Sequence, residues 1–355
     1  MGVRSLTIPL TSPFGISGGS QEAARNVLVE VRLADGSVGL GEGAPFPAYN
    51  GETQDQAMEA LRRVPACLIG RDAREWEERG READAALGGA PGSARAALEM
   101  ALLDAVCRSD KEPLWRYFGG CDSVLETDMT VTTGSVIEAG FAAAHIRRQG
   151  IRTIKVKVGG KGGLALDLAR LDAIAAAAPG APLILDGNAA FGLSEALELA
   201  EGIRRLGLVP VLLEQWLGKD DLDSMRILGE RTGWTQAADE SVASVADVER
   251  LHKARAVQVV NIKLMKCGLG EAIRVARAAR RLGLRLMIGG NVESILAMTV
   301  SASLAIGMGG FAFADLDTPF FLAENPFEGG FTVAAGRLCL EREAPGHGVS
   351  LRGPA

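Results

Sequence analysis

The sequence predicts an α/β fold in which a parallel (β/α) barrel follows a smaller α+β module. Three observations lead there. From about residue 125, short apolar strand candidates alternate with alanine- and arginine-rich helical runs. Charged residues near the strand ends recur at steps of 31, 28, 25 and 24, from Lys155 through Asp186, Glu214 and Asp239 to Lys263. Steps of that length are βα units. The doubly wound alternative needs a phosphate-binding turn such as GxGxxG after its first strand, and none is there.

In chain order, "RNVLVEVRLADGSVGLGEGAP" reads as alternating strand runs with a hairpin turn at "ADGS". Helical runs follow in "TQDQAMEALRRV" and in "SARAALEMALLDAVCR", where Ser93 is the expected N-cap. Strands followed by helices give an α+β module. Eight barrel-strand candidates come next: "TDMTVT", "TIKVKV", "PLILDGN", "VPVLLEQ", "TQAADES", "VQVVNIKL", "LRLMIGG" and "GFAFADLD". From about Asn325 the chain is strand-like, then loop-rich, and is expected to return to the first module. The expected domains are therefore 1–122 completed by 325–355, and 123–324.

Composition narrows the function classes. The 355 residues are 47% hydrophobic, ample for a core, and the net charge of −6 favours neither nucleic acid nor an anionic membrane. The five cysteines are scattered with no CxxC pair, which fits reduced thiols in a cytoplasm better than disulfides or a zinc site. "MGVRSLTIPLTSPFG" has no signal-peptide apolar region, and no run approaches the roughly 20 apolar residues of a membrane span. "VGGKGG" lacks a P-loop ending, and "RVARAARRLGLR" reads as a solvated helix face.

The charged strand ends are the anomaly. In "IRTIKVKVGG", alternation puts Lys155 and Lys157 on one face of a strand that otherwise reads as buried. A strand edge with snorkelling lysines is the bland alternative. Yet Asp186, Glu214 and Asp239 fall on three consecutive strands, Lys263 on the next, and Asp315 and Asp317 on the last. The C-terminal ends of barrel strands form the active-site floor. Three converging carboxylates without histidine or thiolate suit a hard cation, for which Mg²⁺ is the usual candidate. Asn188 and Glu240 are secondary candidates. Two ammonium groups near each other and near a cation are expected to have lowered pKa values, so that a neutral amine can act as base. A carbon acid beside a carboxylate yields to such a base when a divalent cation stabilises the enolate. One base on each face of that planar species is what epimerisation requires.

These residues resemble the muconate-lactonizing subgroup of the enolase superfamily across nearly the whole chain. The matching motifs are "KVK" at 155–157, "LDGN" at 185–188, "LEQ" at 213–215, "ADES" at 238–241 and "NIKLMK" at 261–266. The resemblance implies a (β/α)7β barrel with an N-terminal capping domain and one Mg²⁺ per chain on Asp186, Glu214 and Asp239. It implies Lys157 and Lys263 as acid/base groups, Lys155 against the substrate carboxylate, and Asn261 among the supporting residues. A histidine base on strand seven is disfavoured, because His145, His252 and His347 lie on no barrel strand end.

"FADLDTP" looks like the DxD signature of dipeptide epimerases, whose two carboxylates, here Asp315 and Asp317, hold a free α-ammonium. "TSPFGISGGSQEAARN" and "FPAYNGET" look like the two cap loops, with a mobile lid at Gly15, Gly18 and Gly19 and candidate specificity residues Gly19, Arg25, Tyr49 and Thr53. The Ala-Glu epimerases carry a basic residue near the position of Gly19, and "GISGGS" has none, so a neutral or apolar substrate side chain is expected. Trp216 in "EQW" is expected to shape the pocket, and "GGN" at 289–291 with Glu293 to line it. The implied partner is a dipeptide, with assembly into a homo-oligomer. N-acylamino acid racemases, o-succinylbenzoate synthases and cycloisomerases are the alternatives within the subgroup, and a catalytically inactive binding barrel is the alternative outside enzymes.

Overall fold

In a computed structural model, residues 1–16, 18–88, 92–122 and 124–353 are described. The N-terminal module is built on β1 (Gly2–Ile16), β2 (Gly19–Arg32) and β3 (Val38–Gly43), an antiparallel sheet in that order. The segment expected as a loop at 11–26 is thus mostly strand. Its register slips between Pro9 and Phe14, where proline has no N–H for the ladder. The middle of β1 is anchored to the chain beyond the last barrel strand, with Ala323 N donating to Pro9 O at 2.8 Å.

The helix Gly92–Ser109 crosses this sheet. Alternating glycines in "VGLGEG" permit the contact, since a Cβ on Gly41 would stand 2.0 Å from Ala97 O. Ser93 lies inside the helix and does not cap it; Glu52 accepts from Gly92 N at 2.8 Å instead. An anionic side chain meets the exposed amides of that helix start as well as a hydroxyl would.

Eight parallel strands follow, each hydrogen-bonded to the next: β4 (Met129–Val131), β5 (Ile154–Lys157), β6 (Leu183–Asp186), β7 (Leu212–Glu214), β8 (Gln236–Ala238), β9 (Val259–Ile262), β10 (Arg285–Ile288) and β11 (Phe311–Ala314). Asp128 N donates to Ala314 O at 2.9 Å, joining first strand to last in a TIM-like barrel. Alternation divides each strand between two cores. Ile184, Leu212, Ala237, Val259 and Met287 fill the barrel interior, while their sequence neighbours pack against the helices.

Beyond the barrel, β12 (Phe327–Gly329) pairs with β15 (Val349–Leu351), and β13 (Thr332–Ala334) with β14 (Arg337–Cys339). The tail reaches back to the N-terminal module, where Arg108 donates to Val349 O at 2.6 Å and His347 N to Asp104 at 3.0 Å. Glu42 at the end of β3 is fully buried against the helix Ile295–Met308. It accepts from Ser294 N, Ser294 Oγ and Ala297 N at 3.0, 2.5 and 3.2 Å, an anion at a helix N-terminus that docks module onto barrel. Among the described residues, no helix is long and apolar enough to cross a membrane.

Candidate active site

The lysines of β5 point into the barrel mouth, 1% and 6% exposed. Lys155 Nζ stands between Asp186 and Glu214, 2.9 Å from each, and 2.6 Å from Asp315. Lys157 Nζ donates to Asp186 at 2.6 Å and to Asn188 Oδ1 at 3.1 Å. Across the barrel, Lys263, just beyond β9, donates to Asp239 at 2.7 Å. The strand that looked buried does carry two cations inward, because carboxylates meet them there.

Asp186, Glu214 and Asp239 are completely buried at the ends of β6, β7 and β8. Their supports come from neighbouring strands. Asn261 donates to Glu214 at 2.8 Å, Asn188 to Glu240 at 3.2 Å, and Gln215 Oε1 accepts from Asp239 N at 2.8 Å. Asn188 and Gln215 hold positive φ values of 42° and 35°, strain of the kind that concentrates at functional sites. Lys266, unassigned by the sequence reading although it closes "NIKLMK", donates to Asp239 Oδ1 at 3.1 Å and to Asn261 O at 2.7 Å.

Electrostatics follow from this crowding. Burial alone would raise Asp186, but Lys155 and Lys157 hold it well below the usual carboxylate range. Glu214 is raised, first by burial and then by Asp186. With carboxylates on every side, Lys155 and Lys263 do not fall. Burial lowers Lys263 and Lys155 repels it, but Asp239, Glu214 and Glu240 together outweigh both, so Lys263 is raised; Asp186, Asp315 and Glu214 likewise raise Lys155 against its burial. The donor set fits a hard cation. It is all oxygen, and Glu214 Oε2 is a buried acceptor with no hydrogen bond, Lys155 standing near it without the alignment to donate.

A second gathering is tighter. Oxygens of Asp128, Asp315 and Asp317 lie within 4.8 Å of one another, all three residues buried. Lys155 keeps Asp315 ionised against its burial, whereas burial and the Asp315 charge push Asp317 up to about 7. Thr130 N donates to Asp317 at 2.6 Å, while both Asp128 oxygens have no hydrogen-bond partner among the described residues. Asp128, just before β4, and Thr130 within it lie on the same inward side. Period-two alternation along "TDMTVT" could have found both.

The pocket over these groups is walled by Phe14, Ile16, Phe46 and Tyr49 of the N-terminal module. Lys157, Asn188, Lys263, Asn291, Asp315 and Asp317 face them from the barrel. Tyr49 donates to Asp239 at 3.2 Å, and its ring lies 4.8 Å from Lys263 Nζ. Phe14 packs edge-on against Phe46 and Phe321, at 6.4 and 5.5 Å between centroids. The other cap-loop candidates lie elsewhere. Arg25 is exposed on β2 opposite Thr7, Thr53 caps the helix Gln54–Arg63, and Gly19 abuts Ala48 outside this pocket. Trp216 does not shape the pocket either. It is buried against Phe191 at 5.5 Å, its indole N–H donating to Leu185 O at 2.9 Å.

Comparison with known proteins places this geometry. Residues 2–119 match the family "Mandelate racemase / muconate lactonizing enzyme, N-terminal domain", and residues 139–355 match "Enolase C-terminal domain-like". An aromatic dipeptide epimerase of Herpetosiphon aurantiacus is 48% identical over 98% of this chain and 97% of its own. An L-Ala-D/L-amino acid epimerase of Populus trichocarpa is 38% identical over 97% and 82% of the two chains. The crystal structure of a dipeptide epimerase from Enterococcus faecalis V583, complexed with Mg and the dipeptide L-Leu-L-Tyr, is 31% identical. It superposes with a TM-score of 0.92, covering 98% of each chain.

Proposed function

The chain belongs to the mandelate racemase/muconate lactonizing enzyme family of the enolase superfamily, and from that premise we propose that it is a Mg²⁺-dependent dipeptide epimerase with a preference for apolar or aromatic side chains. The observation that carries the reading is the pair Lys157 and Lys263, facing each other across the barrel mouth over buried carboxylates.

Asp186, Glu214 and Asp239 would hold one Mg²⁺ per chain. Bound there, it would supply Lewis acidity to the carboxylate of the dipeptide and offset the negative charge that raises Lys155 and Lys263. The rest falls to the chain itself. Asp315 and Asp317 accept hydrogen bonds from the substrate α-ammonium, with Thr130 N fixing Asp317. Lys155 faces the substrate carboxylate. One of Lys157 and Lys263 removes the α-proton of the C-terminal residue, and the other returns a proton to the opposite face. Phe14, Ile16 and Phe46 exclude water and receive an apolar side chain, for which the absence of any cation among these wall residues is suited.

Residues 1–122 with 325–355 act as the cap, and 123–324 as the catalytic barrel. Cytoplasmic location and assembly into a homo-oligomer complete the proposal. The exposed pair Ile137 and Phe141, 71% and 72% exposed on one helix, supports the latter. Chromatography tests the activity directly. L-Ala-L-Phe incubated with enzyme and Mg²⁺ yields L-Ala-D-Phe, and N-acetyl-L-Phe is left unchanged. Racemisation of the acylated amino acid in place of the dipeptide favours the N-acylamino acid racemase reading.

A further inference from the structure

The helix Gly163–Ala177, which follows β5, turns Leu171 and Ile174 into the core as a barrel helix should. On the same side, Asp167 and Arg170 are 3% and 1% exposed. Burying a guanidinium and a carboxylate costs solvation that only specific partners can offset. Those partners are backbone groups at the mouth of the barrel. Arg170 Nη1 donates to Lys157 O at 2.7 Å and to Asp167 at 3.2 Å, and Nη2 donates to Thr132 O at 2.6 Å. Asp167 Oδ2 in turn accepts from Gly159 N at 2.7 Å.

We propose that Arg170, held by Asp167, is a positioning residue for Lys157: the pair fixes the backbone from which that lysine projects and serves proton transfer on that side of the substrate alone. This rests on the epimerase reading. Lys157 is the last residue of β5, and Val158 N donating to Asp186 O at 2.9 Å is the last ladder bond to β6. Beyond it the chain turns at Gly159, φ 78°, into Gly160, a pair of residues with little stiffness of their own. The planar fork of Arg170 spans the ends of β4 and β5, and so sets both the height and the direction of the Lys157 backbone. Lys263 is held differently. Its carbonyl accepts from Lys266 N at 3.1 Å, inside the short helix Leu264–Cys267, and the arginine pair makes no contact there. The two acid/base lysines are therefore anchored by independent devices, and only one of them depends on Arg170.

That asymmetry supplies a test that a merely structural role would not satisfy. The full chain with Mg²⁺ is incubated in D₂O separately with L-Ala-L-Phe and L-Ala-D-Phe, and initial α-deuterium uptake is read by mass spectrometry. Lys157→Ala and Lys263→Ala first assign which epimer each lysine deprotonates. Arg170→Met and the milder Arg170→Lys are then expected to slow the Lys157-dependent epimer at least about tenfold more than the other, the order of loss that a small misplacement of a reacting group causes. The ratio of the two rates does not depend on how much of a variant is folded, because both substrates meet the same molecules. Equal slowing of both epimers, or a larger loss on the Lys263 side, overturns the proposal. A wild-type enzyme that exchanges neither dipeptide overturns the epimerase reading, and this inference with it.

Discussion

Replacing Glu42 by alanine probes how the N-terminal module is held over the barrel mouth. The carboxylate is fully buried and accepts from Asn26, Ser294 N, Ser294 Oγ and Ala297 N. Asn26 keeps a second acceptor, Val292 O at 3.0 Å, and the serine hydroxyl can rotate, so alanine strands chiefly the two backbone amides. An unsatisfied buried donor costs about 1–3 kcal/mol, giving about 2–6 for the pair. Burial raises the Glu42 pKa, so its removal also relieves some desolvation, which reduces the net loss to about 2–4 kcal/mol. Unfolding entropy near 2.1 cal/mol/K per residue amounts to about 0.75 kcal/mol/K for 355 residues. The loss therefore corresponds to a fall in Tm of about 3–5 °C. Scanning calorimetry of wild type, Glu42→Ala and Glu30→Ala measures it, the last because Glu30 pairs with Arg32 on the surface and should move Tm by less than about 1 °C. A Glu42→Ala protein melting within 1 °C of wild type, or a Glu30→Ala protein melting as low, would refute this account of the docking.

Further expectations concern the site. Lys263→Ala should lower epimerisation by about 10²–10⁴-fold while α-deuterium exchange survives in one epimer only; exchange persisting in both would remove Lys263 from the acid/base pair. Phe46→Ala should cut kcat/KM for a C-terminal phenylalanine about 10–100-fold relative to a C-terminal alanine, and an unchanged ratio would place the side chain elsewhere. Burial pushes Glu293 up to about 8 from an ordinary 4.5, so the folded state binds a proton that the unfolded state has released between those values. Its contribution is fully present below pH 4.5 and lost as pH rises through about 8. Glu293→Gln should consequently flatten the fall in Tm between pH 5 and 8, and a parallel decline in both proteins would show Glu293 ionised throughout.

The barrel was legible because its chain carries two signals at once, short apolar strands recurring at βα spacing and a charged residue at the mouth-facing end of six of the eight. Lys155, Asp186, Glu214 and Asp239 stand out in sequence since a buried strand has no other use for them. The N-terminal hairpin was not legible. Pro13 and the glycines at 15, 18 and 19 read as a loop, and the strand exists through tertiary pairing of β1 with β2 and its anchor at Ala323. Phe14, Ile16 and Phe46 were hidden for another reason, as an apolar residue that walls a pocket looks like one that fills a core. Trp216 was misjudged in the opposite sense, its indole N–H having a carbonyl to satisfy in the barrel wall. The lysine pKa expectation weighed ammonium repulsion and a bound cation but left out the carboxylates, which at 2.6–2.9 Å raise Lys155 and Lys263.

Whether this enzyme epimerises dipeptides is read from deuterium uptake at the α-carbon of the C-terminal residue. Wild-type enzyme with Mg²⁺ in D₂O is given a panel of L,L-dipeptides varied at the second residue, alongside the N-acetyl derivative of each C-terminal amino acid. Uptake is expected in dipeptides ending in apolar or aromatic residues, little in those ending in glutamate, and none in the acylated amino acids. Uptake confined to the acylated amino acids would contradict the assignment of Asp315 and Asp317 to an α-ammonium, and uptake in neither set would contradict the epimerase itself.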